Sequence, residues 1–129
     1  MTINQEPLAI ARIEEGDVPL LQQFYQTWFQ DKPKLNNQDL WRWEFLDNPL
    51  CQEGAQFFVI RSAGAINGAI GGIRTRIQVG QQIYPACHPV DFFVAPDYKG
   101  FPALRLFRKI LEDVPVFYAS YVSADAAKL

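Results

Sequence analysis

Hydrophobic residues recur along this chain with two periods, one typical of strands and one typical of helices. A period of two, or a short continuous apolar run, predicts strands at residues 8–13, 57–61, 69–79, 90–94 and 116–122. Hydrophobic residues three or four apart predict amphipathic helices at residues 18–30, 38–47 and 102–113. The resulting order, β-α-α-β-β-β-α-β, predicts an α/β fold: a mixed central β-sheet flanked by helices.

Turn-forming residues mark several boundaries between these elements. Asp17 is a candidate N-cap for the first helix, and Pro19 suits its first turn. Gly80, followed by Gln81, predicts a hairpin turn after the long strand. Pro85 and Pro89 lack an amide hydrogen, so we expect them to interrupt regular pairing before the strand at 90–94.

Composition narrows the class of protein. A chain of 129 residues, about half of them hydrophobic, predicts a single globular domain over residues 1–129. Its net charge of −2 argues against a nucleic-acid or anionic-membrane partner, since both require basic surfaces. Its apolar runs are shorter than a membrane span, and it begins without a signal pattern. We therefore expect a cytoplasmic protein.

The cysteines and the single histidine predict no metal site. Cys51 and Cys87 are far apart in sequence, and with His88 they make fewer candidate ligands than zinc requires. Adjacent strand residues point to opposite faces, so Cys87 and His88 do not form a nucleophile and base. Two reduced, partly buried thiols are the simpler expectation.

The segment 90–111 holds the most informative pattern, a strand followed by a glycine-containing loop that opens a helix. The first amide groups of a helix have no partner within it, and the helix dipole adds positive potential at that end. Such a turn can therefore hold the phosphates of a nucleotide-like cofactor. Many α/β crossovers share this outline, so the pattern alone also fits a domain without a nucleotide ligand.

Residues 94–104, VAPDYKGFPAL, resemble the acyl-CoA-binding motif of the GNAT superfamily of N-acyltransferases. That motif is a strand, a proline-containing turn, and then Arg/Gln-x-x-Gly-x-Gly/Ala at the start of a helix. The pair Trp41 and Trp43 followed by Asn48-Pro49, and Pro89-Val90-Asp91, resemble stretches in a branch of the same superfamily. The order of elements fits over nearly the whole chain.

The resemblance implies a site for acetyl-CoA or another acyl-CoA, with an amine as acceptor. The main chain of Phe93, Val94 and Ala95 would pair with the pantetheine arm. The acyl group would enter between splayed strands near Phe92 and Tyr118. Amide groups in the turn would hold the pyrophosphate, and they belong to Lys99, Gly100, Phe101, Ala103 and Leu104.

Asp91 is the candidate catalytic base, because it stands directly before the motif strand. A hydrogen-bonding anchor at the start of a strand is the alternative role for this carboxylate. Trp41 and Trp43 have two roles open to them, core packing or a substrate groove. Arg74 and Arg76 are either solvated strand residues or contacts for a phosphate or an acidic substrate.

The sequence departs from the family pattern in two places. Asp97 stands where the motif usually has Arg or Gln, and Pro102, which has no amide hydrogen, stands at its second Gly/Ala. The family also places a thiolate-protonating tyrosine on a helix after the last strand, and the sequence ends at Leu129 before it. We expect either a fragment or a minimal form that completes its sheet in a homo-oligomer.

Three interpretations follow from these observations. The first is an enzyme that transfers an acetyl or acyl group from acyl-CoA to an amine. The second is a catalytically inactive binding or assembly domain of the same shape, which the substitutions in the turn favour. The third, a general α/β domain, predicts no affinity for CoA.

Overall fold

The computed structural model describes residues 8–51, 54–112 and 116–117, and these form one five-stranded sheet with helices on both faces. The strands lie side by side in chain order, the first four antiparallel and the fifth parallel to the fourth. They are β1 (Ala9–Arg12), β2 (Phe57–Ser62), β3 (Ala65–Val79), β4 (Gln82–Val94) and β5 (Val116–Phe117). This arrangement confirms the predicted α/β class and the mixed sheet.

Three helical segments cover the faces of the sheet. They are α1 (Val18–Trp28), α2 (Gln38–Trp41), which continues into one π-helical turn (Arg42–Leu46), and α3 (Phe101–Leu111). Asn37 caps α2, since its side-chain oxygen accepts a hydrogen bond from the amide of Leu40 at 3.1 Å. Short 3-10 turns occupy Glu15–Asp17, Pro33–Asn36 and Pro96–Tyr98. Among the described helices, none has the length and apolar character needed to cross a bilayer.

Two hydrophobic cores lie on opposite faces of the sheet. On one face, α1 and the π-helical turn pack Phe24, Tyr25 and Phe45 against Phe57 and Val59 of β2. On the other face α3 packs against alternate residues of the same strands, and the buried side chains are Phe58, Ile60, Ile70, Cys87, Leu106 and Ile110. Because neighbouring strand residues point to opposite sides, β2, β3 and β4 each contribute side chains to both cores.

Asp17 precedes α1 as predicted, but its side chain does not cap the helix. Its carboxylate accepts a hydrogen bond from the amide of Glu14 at 2.9 Å and forms an ion pair with Arg61 of β2. The preceding 3-10 turn holds Asp17 in a helical conformation, so its side chain points back toward Glu14. The capping prediction was therefore wrong for this side chain, although Pro19 does lie in the first turn.

Pro85 and Pro89 do not interrupt β4, which corrects the prediction of a break before residue 90. Gly72 of β3 pairs with Pro89, but its amide donates to the backbone carbonyl of Gln56 on the β2 side. Gly72 and Pro89 therefore share no hydrogen bond between β3 and β4. Pro85 pairs with Arg76 and lies four residues before Pro89, so its backbone faces the same way as that of Pro89. Both proline nitrogens therefore face away from β3, where no ladder hydrogen bond is lost.

The structure describes only part of the last predicted strand. β5 covers the first two residues of the strand predicted at 116–122. Tyr118, which the resemblance places beside the acyl group, lies outside the described residues.

Candidate functional site

A β-bulge interrupts β4 at the position of Asp91. Val90 pairs with Gly71 and Phe93 with Ala69, so Asp91 and Phe92 together oppose the single residue Ile70. The backbone of Asp91 has a φ of 54°, which is uncommon for a residue with a side chain. The bulge places Asp91 on the same face as Val90 and Phe93, toward α1, whereas Phe92 packs on the α3 side.

The edge of β4 beyond the bulge determines which backbone groups a ligand can reach. The amide of Ala95 donates to the backbone carbonyl of Asn67 at 2.9 Å, so it faces β3. Phe93 lies two residues earlier and pairs with Ala69, so its amide faces β3 as well. Val94 lies between these two residues, so its N–H and C=O point away from β3. Of the three residues predicted to pair with a pantetheine arm, Val94 therefore presents both groups to the side of β4 away from β3, where no described strand pairs with it.

A tight turn connects β4 to α3. Gly100 precedes the helix with a φ of 92° and a ψ of −126°, a combination that side chains disfavour. Its carbonyl accepts the amide of Leu104 at 3.0 Å, which is the first hydrogen bond of the helix. Glycine at this position therefore lets the chain turn sharply from the strand into α3.

Three amide groups at the start of α3 are not used by the part of the protein that the structure describes. The N–H groups of Gly100, Phe101 and Ala103 have no hydrogen-bond partner among the described residues. Pro102 supplies none, and the amide of Leu104 is already used within the helix. The side chain of Lys99 is exposed beside them. The predicted turn therefore offers three unused amide donors and one adjacent positive charge.

A small cavity lies between α1, the π-helical turn and the bulge of β4. Tyr25, Trp41, Glu44 and Asp91 line it, together with three residues around α2. The Tyr25 side chain is 1% exposed, and its hydroxyl has no hydrogen-bond partner among the described residues. Burial, and then the charges of Asp91 and Glu44, raise the pKa of Tyr25 well above its usual value. The hydroxyl therefore stays protonated at neutral pH.

Trp41 and Trp43 have different surroundings, because helical residues two apart point to different sides. Trp41 is 7% exposed and packs edge-on against Phe57, whereas Trp43 is 69% exposed. Trp41 belongs to the core, which is one of the two roles predicted for it, and it also lines the cavity. Neither Tyr25 nor Glu44 is predicted as a site residue from the sequence. A tyrosine on the core face of a helix was the available signal, because a buried hydroxyl normally needs a partner.

Arg74 lies in a hydrogen-bond network centred on Gln56. Gln56 is fully buried, and its side-chain oxygen accepts from Arg74 Nη2 at 2.7 Å and from Arg12 Nη1 at 3.3 Å. Arg74 is half-buried and is held in place by this network, while Arg76 is exposed. Among the described residues, no group of three or more His, Cys, Asp or Glu side chains is arranged to hold a metal ion.

Comparison with known proteins reveals similarity in structure only. No protein-family model matches the sequence, and no curated protein matches it by sequence. Glucosamine-6-phosphate N-acetyltransferase from Arabidopsis thaliana aligns with a TM-score of 0.66 and 12% identity, over 95% of this chain and 88% of that one. An aminoglycoside N-acetyltransferase, AAC(6')-Iy in complex with CoA, aligns with a TM-score of 0.62 and 10% identity, over 99% and 85%.

A larger protein contains the same architecture. A GCN5-related N-acetyltransferase from Kribbella flavida aligns with a TM-score of 0.63 and 15% identity, over 92% of this chain. The chain spans 31% of the length of that protein. All three similar structures are named as N-acetyltransferases, and they match most of the chain. This chain therefore has the fold of the GCN5-related N-acetyltransferases, the GNAT superfamily.

Proposed function

We propose that this chain is an N-acyltransferase domain that binds acetyl-CoA or another acyl-CoA and transfers its acyl group to an amine. The observation that carries the proposal is the set of three amide donors at the turn after β4, those of Gly100, Phe101 and Ala103, which no described residue uses. In a GNAT fold, this is where a strand-like cofactor arm would continue into a pyrophosphate.

The cofactor would lie along β4 and end at α3. Its pantetheine arm would pair with Val94, which directs both backbone groups away from β3. Its pyrophosphate would accept hydrogen bonds from the three amides, helped by the positive end of the helix dipole and by Lys99. Because Lys99 is exposed, its contribution is modest and is screened by salt.

The chemistry requires a base near the bulge. The acceptor arrives as an ammonium ion and must lose a proton before its nitrogen attacks the thioester carbonyl carbon; Asp91 would accept that proton. A C–N bond forms and the C–S bond breaks, while a second proton passes from nitrogen to sulfur. The products are an amide, CoA with its thiol, and one proton released to solvent. Backbone amides at the bulge would stabilise the oxyanion.

A catalytically inactive binding domain is the alternative, and two residues of the turn favour it. Pro102 occupies the second position of α3 and removes one donor from the phosphate site. Asp97 is exposed in the same turn and adds a negative charge where the ligand would be anionic. This alternative predicts CoA binding without turnover of any amine.

Isothermal titration with acetyl-CoA and with CoA tests the proposal. We expect micromolar binding by the unaltered protein, and loss of that binding in Gly100→Glu, which adds a charge and strains the turn. Gly80→Glu is the matched control, because Gly80 also has a positive φ, 61°, but lies in the turn between β3 and β4. Each variant is first compared with the unaltered protein by thermal unfolding.

The outcomes separate the alternatives. Binding that Gly100→Glu abolishes and Gly80→Glu preserves supports the cofactor site, and a screen of amines then separates the enzyme from the inactive domain. Absence of binding to both ligands would refute both and leave the general α/β domain.

We also propose that the protein is cytoplasmic and self-associates. Val79 and Ile83 flank the turn between β3 and β4 and are exposed, which supports association through apolar surface. Light scattering tests this, and a monomeric mass at micromolar concentration would contradict it.

A further inference from the structure

A second, larger cavity lies along the hairpin of β3 and β4, away from the turn that precedes α3. Its volume is about 310 Å³, which is within the range of small-molecule sites. Arg74 and Arg76 form its polar wall, and Leu50, Ile83 and Pro85 form most of its apolar wall. Among the described residues that line it, none is acidic.

The register of the hairpin places this cavity on the α3 face of the sheet. Arg74 pairs with Cys87, which packs in the core under α3, and paired residues point to the same side. Arg76 lies two residues beyond Arg74, and Ile83 lies four residues before Cys87, so both point to that side as well. No described helix residue lines the cavity, so this part of the α3 face is left to the strands and the loop at Leu50.

The cavity is remote from the site proposed for acyl-CoA. Ala86, which lines the cavity, precedes Val94 by eight residues of β4, a separation of roughly 25 Å in an extended strand. Asp91 lies on the opposite face, toward α1. A ligand in this cavity would therefore occupy neither the cofactor turn nor the surroundings of the candidate base.

The two arginines differ in how they are held. Arg74 donates from Nε and Nη2 to the side-chain oxygen of the buried residue Gln56, at 3.0 and 2.7 Å. A guanidinium group fixed in this way loses little freedom when an anion approaches, which favours binding. The side chain of Arg76 is exposed and makes no hydrogen bond or ion pair with a described residue. One positive charge is thus preorganised, and a second can close on a ligand.

The charge of the surrounding sequence has the same sign. Residues 54–90 contain no aspartate and no glutamate, although the whole chain has a net charge of −2. The hairpin is therefore a basic region of an acidic protein. Because complementary charge determines which partners a surface accepts, this region favours an anion.

The apolar wall indicates that the anion carries a hydrophobic body. Asn48 donates to the carbonyl of Arg74 at 3.3 Å and accepts the amide of Leu50 at 2.9 Å, so it holds Leu50 at the edge of β3. On the other strand, 62% of Ile83 is exposed. An inorganic anion would contact the arginines but would leave both apolar side chains in water.

We infer that this cavity binds a small organic anion, a carboxylate joined to an apolar body a few carbons long. The carboxylate contacts Arg76 within the positive field of Arg74, and the body lies against Leu50 and Ile83. Binding involves no bond formation and needs no CoA. It is therefore independent of the proposed acyl transfer.

The experiment is a titration of the full chain with sodium hexanoate, followed by proton–nitrogen correlation NMR of the backbone amides. The titration is made at neutral pH, where a carboxylic acid is ionised. Butanoate has the same charge and a shorter body, and hexanol has the same body without the charge. The amides of Phe101 and Ala103, at the cofactor turn, serve as internal controls.

We expect saturable shifts of the Arg76, Ile83 and Ala86 amides with hexanoate. Butanoate should bind about tenfold more weakly, because each buried methylene group contributes about fourfold to affinity. Hexanol should give no saturable shift. The amides of Phe101 and Ala103 should not follow the hexanoate curve.

Two pairs of variants separate the walls of the cavity. Arg76→Gln should weaken hexanoate binding about threefold to fivefold, as expected for an exposed ion pair. Arg108→Gln should not, because Arg108 is exposed on α3 outside the cavity. Ile83→Ser should also weaken binding about threefold or more. Val79→Ser is its control, since Val79 is equally exposed, at 61%, but points to the other face of the hairpin.

Several results would overturn the inference. They are no saturable shift with hexanoate, equal affinity for hexanol or for butanoate, shifts confined to Phe101 and Ala103, or undiminished binding in both Arg76→Gln and Ile83→Ser. The comparison of the three probes uses the unaltered protein, so it decides the question even if a variant does not fold. Hexanoate binding without CoA binding would sustain this inference and refute the proposed acyl transfer.

Discussion

The hydroxyl of Tyr25 and the carboxylate of Asp91 line one small cavity, although one residue belongs to a helix and the other to the bulge of a strand. The bulge creates this relationship, because it rotates Asp91 to the side of the sheet that α1 covers. Asp91 therefore lies inside β4, at its bulge, and not at the start of a strand as the sequence predicted.

Replacing Tyr25 by phenylalanine should leave the folded protein as stable as before, or slightly more stable, at neutral pH. The substitution removes a buried hydroxyl that has no partner among the described residues and keeps the ring in the core. Urea unfolding at pH 7 measures this. A loss of more than about 1 kcal/mol would mean that the hydroxyl makes a stabilising hydrogen bond.

Stability should fall at high pH because of Tyr25. Its folded pKa is raised above the unfolded value of about 10, so its contribution is fully present below pH 10 and is lost as the pH rises toward the folded pKa. The maximum slope for one group is about 1.4 kcal/mol per pH unit. Urea unfolding between pH 9 and 11 should give a shallower decline in Tyr25→Phe, and parallel curves would contradict the assignment.

Gly71→Ala should destabilise the protein by about 1–3 kcal/mol, as overpacking of a core does. A Cβ at Gly71 would lie 2.5 Å from the ring of Phe45 and 3.0 Å from that of Phe57. Gly16→Ala is the matched control, since a Cβ there would meet no atom within 4 Å. Chemical denaturation compares the two, and equal stabilities would show that Phe45 can move without cost.

Much of the fold follows from local patterns in the sequence. The helix after Asp17, the hairpin turn at Gly80 and the strand, turn and helix around Gly100 are where periodicity and turn residues predict them. Local patterns succeed here because each element buries one apolar face and each turn needs a particular backbone conformation. The two prolines of β4 show the limit, because the cost of a missing amide depends on which edge it faces.

In the candidate site, too, one part follows from the local sequence and another depends on tertiary packing. The turn proposed to hold the pyrophosphate, from Val94 to Ala103, is contiguous in the sequence, and its glycine and proline residues indicate its backbone geometry. The cavity is different: Tyr25, Glu44 and Asp91 are brought together only when α1 and the π-helical turn pack on the sheet. Regular alternation would also have directed Asp91 toward α3. A bulge arises from the pairing of two strands, so no single segment of the sequence determines on which face that carboxylate lies.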